Sequence, residues 1–259
     1  MSAPGPAATI ARSLAGWPPI LLAMLIYSSI AIARALMGQS AADVHRAYLG
    51  FGRFCLKVGG TRLIVNGAEQ IDPGQAYVVV STHESNWDSL ALIAALPQLA
   101  LRFVAKRQLM QIPLFGWALR ISGNILVDRD RSGTDLKRIE SQMSKRAETV
   151  SILFYAEGSR TRDGSFRAFK KGAFATALSH GLPILPVAIS GTRRIWPPES
   201  LLLSAGPATI EVGAPILVAG LDWNARSALR DQTHEVVGKL RARARERLRD
   251  MDVDPGGID

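Results

Sequence analysis

Along this chain one long apolar stretch is followed by short apolar runs that alternate with segments of helical period. Residues 17–37 are apolar except for Ser28, Ser29 and Arg34. Pro18 and Pro19 suit the first turn of a helix, where a missing N–H has no intrahelical partner to lose, so a helix is expected over 20–36. It would be about 25 Å long against a hydrocarbon core of about 30 Å, enough to span a bilayer marginally or to lie within one leaflet. Residues 1–11 are small, polar or Pro/Gly-containing and are expected to be disordered. A second helix is expected over 43–58, with Val44, Ala47, Tyr48, Phe51, Phe54 and Val58 on one face.

Beyond Gly59 and Gly60 the period changes. Strand-like runs fall at 62–65, 77–80, 102–105, 125–127, 151–155, 184–190 and 209–212, and helical patterns at 87–95, 132–149, 173–180 and 225–251 lie among them. Pro186 within its run implies an edge strand or a bulge. Such alternation predicts an α/β fold: a mixed, largely parallel sheet flanked by helices, with an N-terminal hydrophobic helix pair. The expected units are an anchoring or interfacial helical segment over 1–58, an α/β domain over 59–251 and a disordered tail over 252–259.

Charge refines this division. Residues 101–171 hold 15 Lys and Arg against 7 Asp and Glu, so this one region carries nearly the whole net charge of +9. A confined positive field points to an anionic partner: phosphate groups, a membrane surface or nucleic acid. Around the apolar stretch, only Arg12 precedes it, whereas Arg34, Arg46, Arg53 and Lys57 follow. That asymmetry keeps the following domain cytoplasmic and weighs against a cleaved signal peptide, for which Ala31-Ile32-Ala33 offers an A-x-A-like site. The alternating Arg241, Arg243, Arg245, Arg247 and Arg249 read as a solvated surface. Cys55, the single cysteine, excludes an internal disulfide and reads as a packing residue.

The candidate chemistry collects at strand ends. His83 and Asp88 follow the second run with five-residue spacing. On one helix positions i and i+5 lie about 140° apart, so the two meet only if the chain turns between strand and helix. A neutral imidazole oriented by a carboxylate is a general base. The bare H-x-x-x-x-D pattern is common by chance and needs support from elsewhere. That support comes from Asp128 and Arg129 after the fourth run and from Glu157 and Arg160 after the fifth. Lys106 and Arg160 suit an anion grip, Arg as a bidentate fork and Lys as a point charge. Glu157 is expected to orient Arg160 or accept a substrate hydroxyl. His45, His180 and His234 read as packing or surface residues.

Taken in order, HESNWD at 83–88, KRQLMQIPLFGWAL at 106–119, GNILVDR at 123–129, YAEGSRTRDGSFRAFKKGAF at 155–174 and LPILPVAISGT at 182–192 resemble the ordered blocks of the glycerolipid acyltransferases, and within them the 1-acyl-sn-glycerol-3-phosphate acyltransferases. The resemblance implies acyl transfer from acyl-CoA or acyl carrier protein to the sn-2 hydroxyl of lysophosphatidic acid, a step of phospholipid biosynthesis. It implies His83 as base and Asp88 as its orienting partner. Lys106, Arg129, Glu157, Gly158, Ser159 and Arg160 would hold the glycerol phosphate, and residues 182–187 would help shape the acyl or thioester site. Neither metal nor cofactor is implied, and the partners are a membrane lipid acceptor, the acyl donor and an anionic membrane surface, with no nucleic acid.

The block at 155–160 departs from the family's usual Phe-Pro-Glu-Gly-Thr-Arg: Tyr155, Ala156 and Ser159 stand for Phe, Pro and Thr. The turn loses a rigid proline while position 159 keeps a hydroxyl. Another lysolipid, such as a lyso-ornithine lipid, stays open as acceptor, and a non-catalytic module for anionic lipid or nucleic acid is the alternative of another class.

Overall fold

The computed structural model describes residues 6–127, 150–161 and 163–255. The predicted helix over 132–149 and residues Asp128, Arg129 and Asp130 lie outside them. Seven strands form one sheet in the order β1-β7-β6-β2-β5-β3-β4, with β1 Thr61–Asn66, β2 Val78–Ser81, β3 Ala100–Lys106, β4 Ile125–Val127, β5 Val150–Tyr155, β6 Ile184–Ser190 and β7 Gly206–Val212. Every neighbouring pair is parallel except β6 with β7. Strands β2 to β6 therefore all end at one edge of the sheet.

The central strands are apolar on both faces because both are covered, the usual condition of parallel sheets. Val79, Leu153 and Leu185 face one side, packing with Cys55, Trp87 and Leu92. Val78, Val80, Ile152 and Ile184 face the other, against Phe174, Leu229, Val237 and Leu240. Helix α2, Ala41–Val58, starts on an N-cap at Ser40, whose side chain accepts the Asp43 N–H, and lies with α1 and α3, Trp87–Ala95, over the first face. Helices α5, Gly172–His180, and α7, Arg226–Arg249, cover the second; α4, Phe115–Ile121, and the single turn α6, Thr192–Ile195, complete the set.

Several expectations change. Helix α1 runs from Pro6 to Leu36, straight through Pro18 and Pro19, so the chain is ordered well before residue 12. Tertiary contacts account for this: the Leu203 N–H donates to Ser13 Oγ at 2.8 Å, and Trp17 Nε1 donates to the Leu201 carbonyl at 2.6 Å. Ile20 joins the same core as the sheet, as do Cys55 and Leu56 of α2, so both N-terminal helices pack against the α/β layers.

Pro186 lies on an interior strand, not an edge. Its carbonyl accepts the Gly213 N–H at 2.9 Å, so its nitrogen faces the β7 side as well. There the ladder begins only at Val187, opposite Val212, while Ile184 pairs with Ile216. Three steps along β6 thus match four along the partner, a bulge that spares the missing N–H.

The α7 arginines are not uniformly solvated. Arg245 is buried at 2% exposure, and Arg247 pairs with the buried Glu211 at 2.7 Å. Residues 252–255 are tied back, through the Val253 N–H to the Leu248 carbonyl at 2.9 Å and Arg194 to the Asp254 carbonyl at 2.7 Å.

Candidate active site

The carboxyl ends of β2, β5 and β6 are adjacent because β2 is paired in parallel with both neighbours. This is where open α/β sheets place their sites. The chain leaving β2 turns around one carboxylate. Asp88 Oδ2 accepts the N–H of Glu84 at 2.8 Å and of Ser85 at 2.9 Å, and lies 2.8 Å from His83 Nδ1. The turn before α3 and the imidazole thus share a single acceptor. With Nδ1–H donating to a fully buried carboxylate, Nε2 is left as the basic nitrogen. His83 is 8% exposed and Asp88 0%, so the pair is shielded from water, which strengthens its interaction.

Two further elements hold the histidine. Tyr155, at the end of β5, stacks on the imidazole with ring centroids 3.7 Å apart and planes 9° apart, and its hydroxyl lies 2.9 Å from Ser89 Oγ on α3. The loop after β5 clamps the backbone: Glu157 Oε1 accepts the His83 N–H at 3.2 Å, and the Thr161 N–H donates to the His83 carbonyl at 3.0 Å. Glu157 Oε2 accepts the Arg167 N–H at 3.2 Å. Both carboxyl oxygens are thus committed to backbone amides, so Glu157 ties together the two loops that flank the histidine. Burial pushes its carboxyl up to about 7, against the opposing pull of the Arg167 and His83 amides.

On the other side stands α6. Thr192 is fully buried, and its hydroxyl bonds to Asp88 Oδ1 and lies 3.2 Å from Glu84 Oε1, which also receives the Arg193 N–H at 3.4 Å. Burial and the neighbouring Asp88 charge push Glu84 up to about 8, opposed by the Arg193 amide, Thr192 and the Arg241 guanidinium.

Of the remaining expected residues, those that are described lie at or just after the ends of strands that finish at the same edge. Lys106 is exposed at the carboxyl end of β3, two strands from β2 and hence about 10 Å across the sheet. Gly158 has φ +83°, and a Cβ there would lie 2.5 Å from Lys170 Cε, so this turn needs glycine. Ser159 Oγ accepts a bond from Arg167 Nη1 at 3.1 Å, and Arg160 is half-buried on the same loop. Arg129 lies outside the described residues. Sequence reasoning assigned no role to Glu84, Tyr155, Arg167 or Thr192. All four sit inside the quoted blocks, but only the convergence of three strand ends shows what they touch. Among the described residues no three His, Cys, Asp or Glu side chains converge as a metal site.

Fold and site together define an α/β protein with a buried His–Asp pair at the carboxyl edge of its sheet, an arrangement chemically able to serve as a general base. Residues 62–190 match the model of the Acyltransferase family. The chain is 33% identical over 207 residues to mouse 1-acyl-sn-glycerol-3-phosphate acyltransferase alpha, covering 76% of this chain and 71% of that one. It is 31% identical over 188 residues to the Pseudomonas aeruginosa 1-acyl-sn-glycerol-3-phosphate acyltransferase, covering 69% and 72%. Against the human alpha protein identity is 33% over 178 residues, and the match spans 67% of this chain but 61% of the human one. The crystal structure of the 1-acyl-sn-glycerophosphate (LPA) acyltransferase PlsC from Thermotoga maritima shares the fold, with a TM-score of 0.77, 22% identity and 90% and 94% of the two chains covered. The chain belongs to the acyltransferase family that contains the 1-acyl-sn-glycerol-3-phosphate acyltransferases.

Proposed function

We propose that this enzyme transfers an acyl group from a thioester donor, acyl-CoA or acyl carrier protein, to the sn-2 hydroxyl of lysophosphatidic acid, forming phosphatidic acid. The observation that carries the reading is the His83–Asp88 pair held at 2.8 Å in a nearly dry pocket of backbone donors; the names of the relatives supply the acceptor. His83 Nε2 takes the proton of the acceptor hydroxyl as its oxygen bonds to the thioester carbonyl carbon. The C–S bond then breaks, and the proton on Nε2 passes to the departing thiolate. A thioester is already activated, so alignment and a base suffice without a covalent acyl-enzyme. Lys106, Arg129 and Arg160, with the turn at Gly158 and Ser159, hold the phosphate, while Glu157 braces that turn through the His83 and Arg167 amides.

The acceptor is drawn from a bilayer. Helix α1 is long and apolar enough to cross a membrane by length and composition, and Leu14, Leu21, Leu22, Leu25, Ile26 and Ile30 on it are exposed. We read α1 as the membrane attachment, with the catalytic domain on the cytoplasmic side, in keeping with the basic residues that follow the apolar stretch.

The test compares parent, His83→Ala and Asp88→Asn proteins in membranes supplied with a panel of lysolipids and with both donors, products being read by mass spectrometry. The expected result is phosphatidate formation from lysophosphatidate that both variants lose by at least about a thousandfold. Near-normal transfer by His83→Ala would end the proposal, and preference for another lysolipid would replace the acceptor.

A further inference from the structure

The Thr192 hydroxyl stands between two buried carboxyl groups, bonded to Asp88 Oδ1 and 3.2 Å from Glu84 Oε1. A hydroxyl carries one proton and donates to one acceptor. If both carboxyls were ionised, one would face the threonine oxygen with no hydrogen between them, and two negative charges would be buried side by side, a costly arrangement. A single added proton resolves both problems. Asp88 Oδ2 already gathers the Glu84 and Ser85 amides and His83 Nδ1–H, so the negative charge belongs on Asp88 and the proton on Glu84.

We propose that Glu84 and Thr192 form a hydrogen-bonded relay, Glu84 O–H to Thr192 Oγ1 and Thr192 O–H to Asp88 Oδ1, that fixes the orientation of the Asp88 carboxylate and through it the tautomer and aim of His83. Both are positioning residues: neither reaches substrate, and no proton leaves the relay during turnover. The proposal rests on the reading of His83 as the base. Its directional logic is that of other oriented histidines, in which a carboxylate holds the imidazole and is itself held by further bonds.

The other groups facing Glu84 agree with a neutral acid there. The Arg193 N–H reaches Oε1 at 3.4 Å, a long contact for a carboxylate acceptor, and the positive charge of the Arg241 guanidinium on α7 opposes protonation less strongly than burial and Asp88 favour it. Burial and the Asp88 charge hold the Glu84 carboxyl well above the usual carboxylate range, so the relay is intact at neutral pH and breaks at alkaline pH, when Glu84 ionises and repels Asp88.

The experiment measures kcat and KM for lysophosphatidate from about pH 6 to 9.5 in parent, Thr192→Val, Thr192→Ser, Glu84→Leu and Glu84→Gln proteins, with His83→Ala alongside and folding checked by circular dichroism. Thr192→Val is expected to lower kcat about 10- to 100-fold, the range for losing a partner that orients a reactive ligand, with KM unchanged; Thr192→Ser recovers most of it. Glu84→Gln, still a donor toward Thr192, restores most of the kcat lost by Glu84→Leu and removes the alkaline decline. Should Thr192→Val not fold, the two Glu84 variants decide alone. The relay is overturned by parental kcat and pH profile in Thr192→Val, or by Glu84→Gln keeping the alkaline decline or failing as badly as Glu84→Leu. An active His83→Ala overturns the base reading instead, so the two failures are distinguishable.

Discussion

The ring of Tyr155 lies parallel to the imidazole of His83, with centroids 3.7 Å apart, while its hydroxyl reaches Ser89 Oγ at 2.9 Å. The tyrosine thus braces the imidazole on its ring face, whereas Asp88 holds it at the Nδ1 edge, so the stack limits the rotation about the Nδ1 bond that this bond alone would permit. The stack and the hydroxyl bond are separable. Tyr155→Phe keeps the ring, restores the residue usual in related blocks, and is expected to hold kcat within about threefold, in line with loss of a bond of about 1 kcal/mol that is only partly felt at the histidine. Tyr155→Ala removes the brace and is expected to lower kcat at least about tenfold with little change in KM, measured by steady-state acyl transfer.

Stability is expected to fall as pH rises from about 5 to about 8. Burial and the Asp88 charge raise Glu84 well above the ordinary carboxylate value of 4.5, and burial pushes Glu157 up to about 7. Groups of this kind bind protons more readily in the folded state. Their favourable contribution is complete below about 4.5 and is lost as pH climbs through the folded values, at a few kcal/mol for the pair as an order of magnitude. Thermal melts at pH 5, 6, 7 and 8 check this: the parent Tm declines across the series, and Glu84→Gln flattens the upper part. A Tm that rises steadily over the same range contradicts it.

Gly158→Ala tests the turn proposed to carry the anion grip. At φ +83° an L-residue is strained, and the new Cβ would press on the Lys170 side chain at 2.5 Å. The lysine end is flexible and can yield, so the lasting cost is backbone strain, about 1–2 kcal/mol. The expected outcome is a modestly lower Tm with a raised KM for lysophosphatidate, since Glu157 on one side of the turn and Arg160 on the other shift together.

The outer face of α1 offers a separate test. Leu22 and Ile26 are 59% and 49% exposed and one turn apart, so charging them leaves the packed face, with Ile20 and Ala23, untouched. Leu22→Glu combined with Ile26→Glu is expected to shift the protein from floated anionic vesicles to the soluble fraction without changing Tm by more than about 2 °C. Unaltered flotation would exclude this face as the attachment.

What the sequence by itself determined was local. Residues 77–80 and 152–155 are apolar throughout, as a strand covered on both faces requires, and α3 was legible from Trp87 to Ala95 because its periodicity and Pro97 bound it. The pairing of His83 with Asp88 was legible only with the later blocks beside it, since five-residue spacing permits the contact if the chain turns but occurs often by chance. What only the tertiary structure decided depended on neighbours distant in the chain. Pro18 and Pro19 read as a helix start, but contacts from residues 201 and 203 hold a helix ahead of them. Pro186 read as an edge or a bulge, and only the partner strand shows which. Glu157 read as a substrate or arginine ligand, yet it binds the amides of His83 and Arg167. Thr192, 104 residues from Asp88, carries no local signal at all. Hydrophobic period is set by which side of an element faces the core, so the chain records it residue by residue; a polar contact between strand ends exists only after β2, β5 and β6 have been laid side by side.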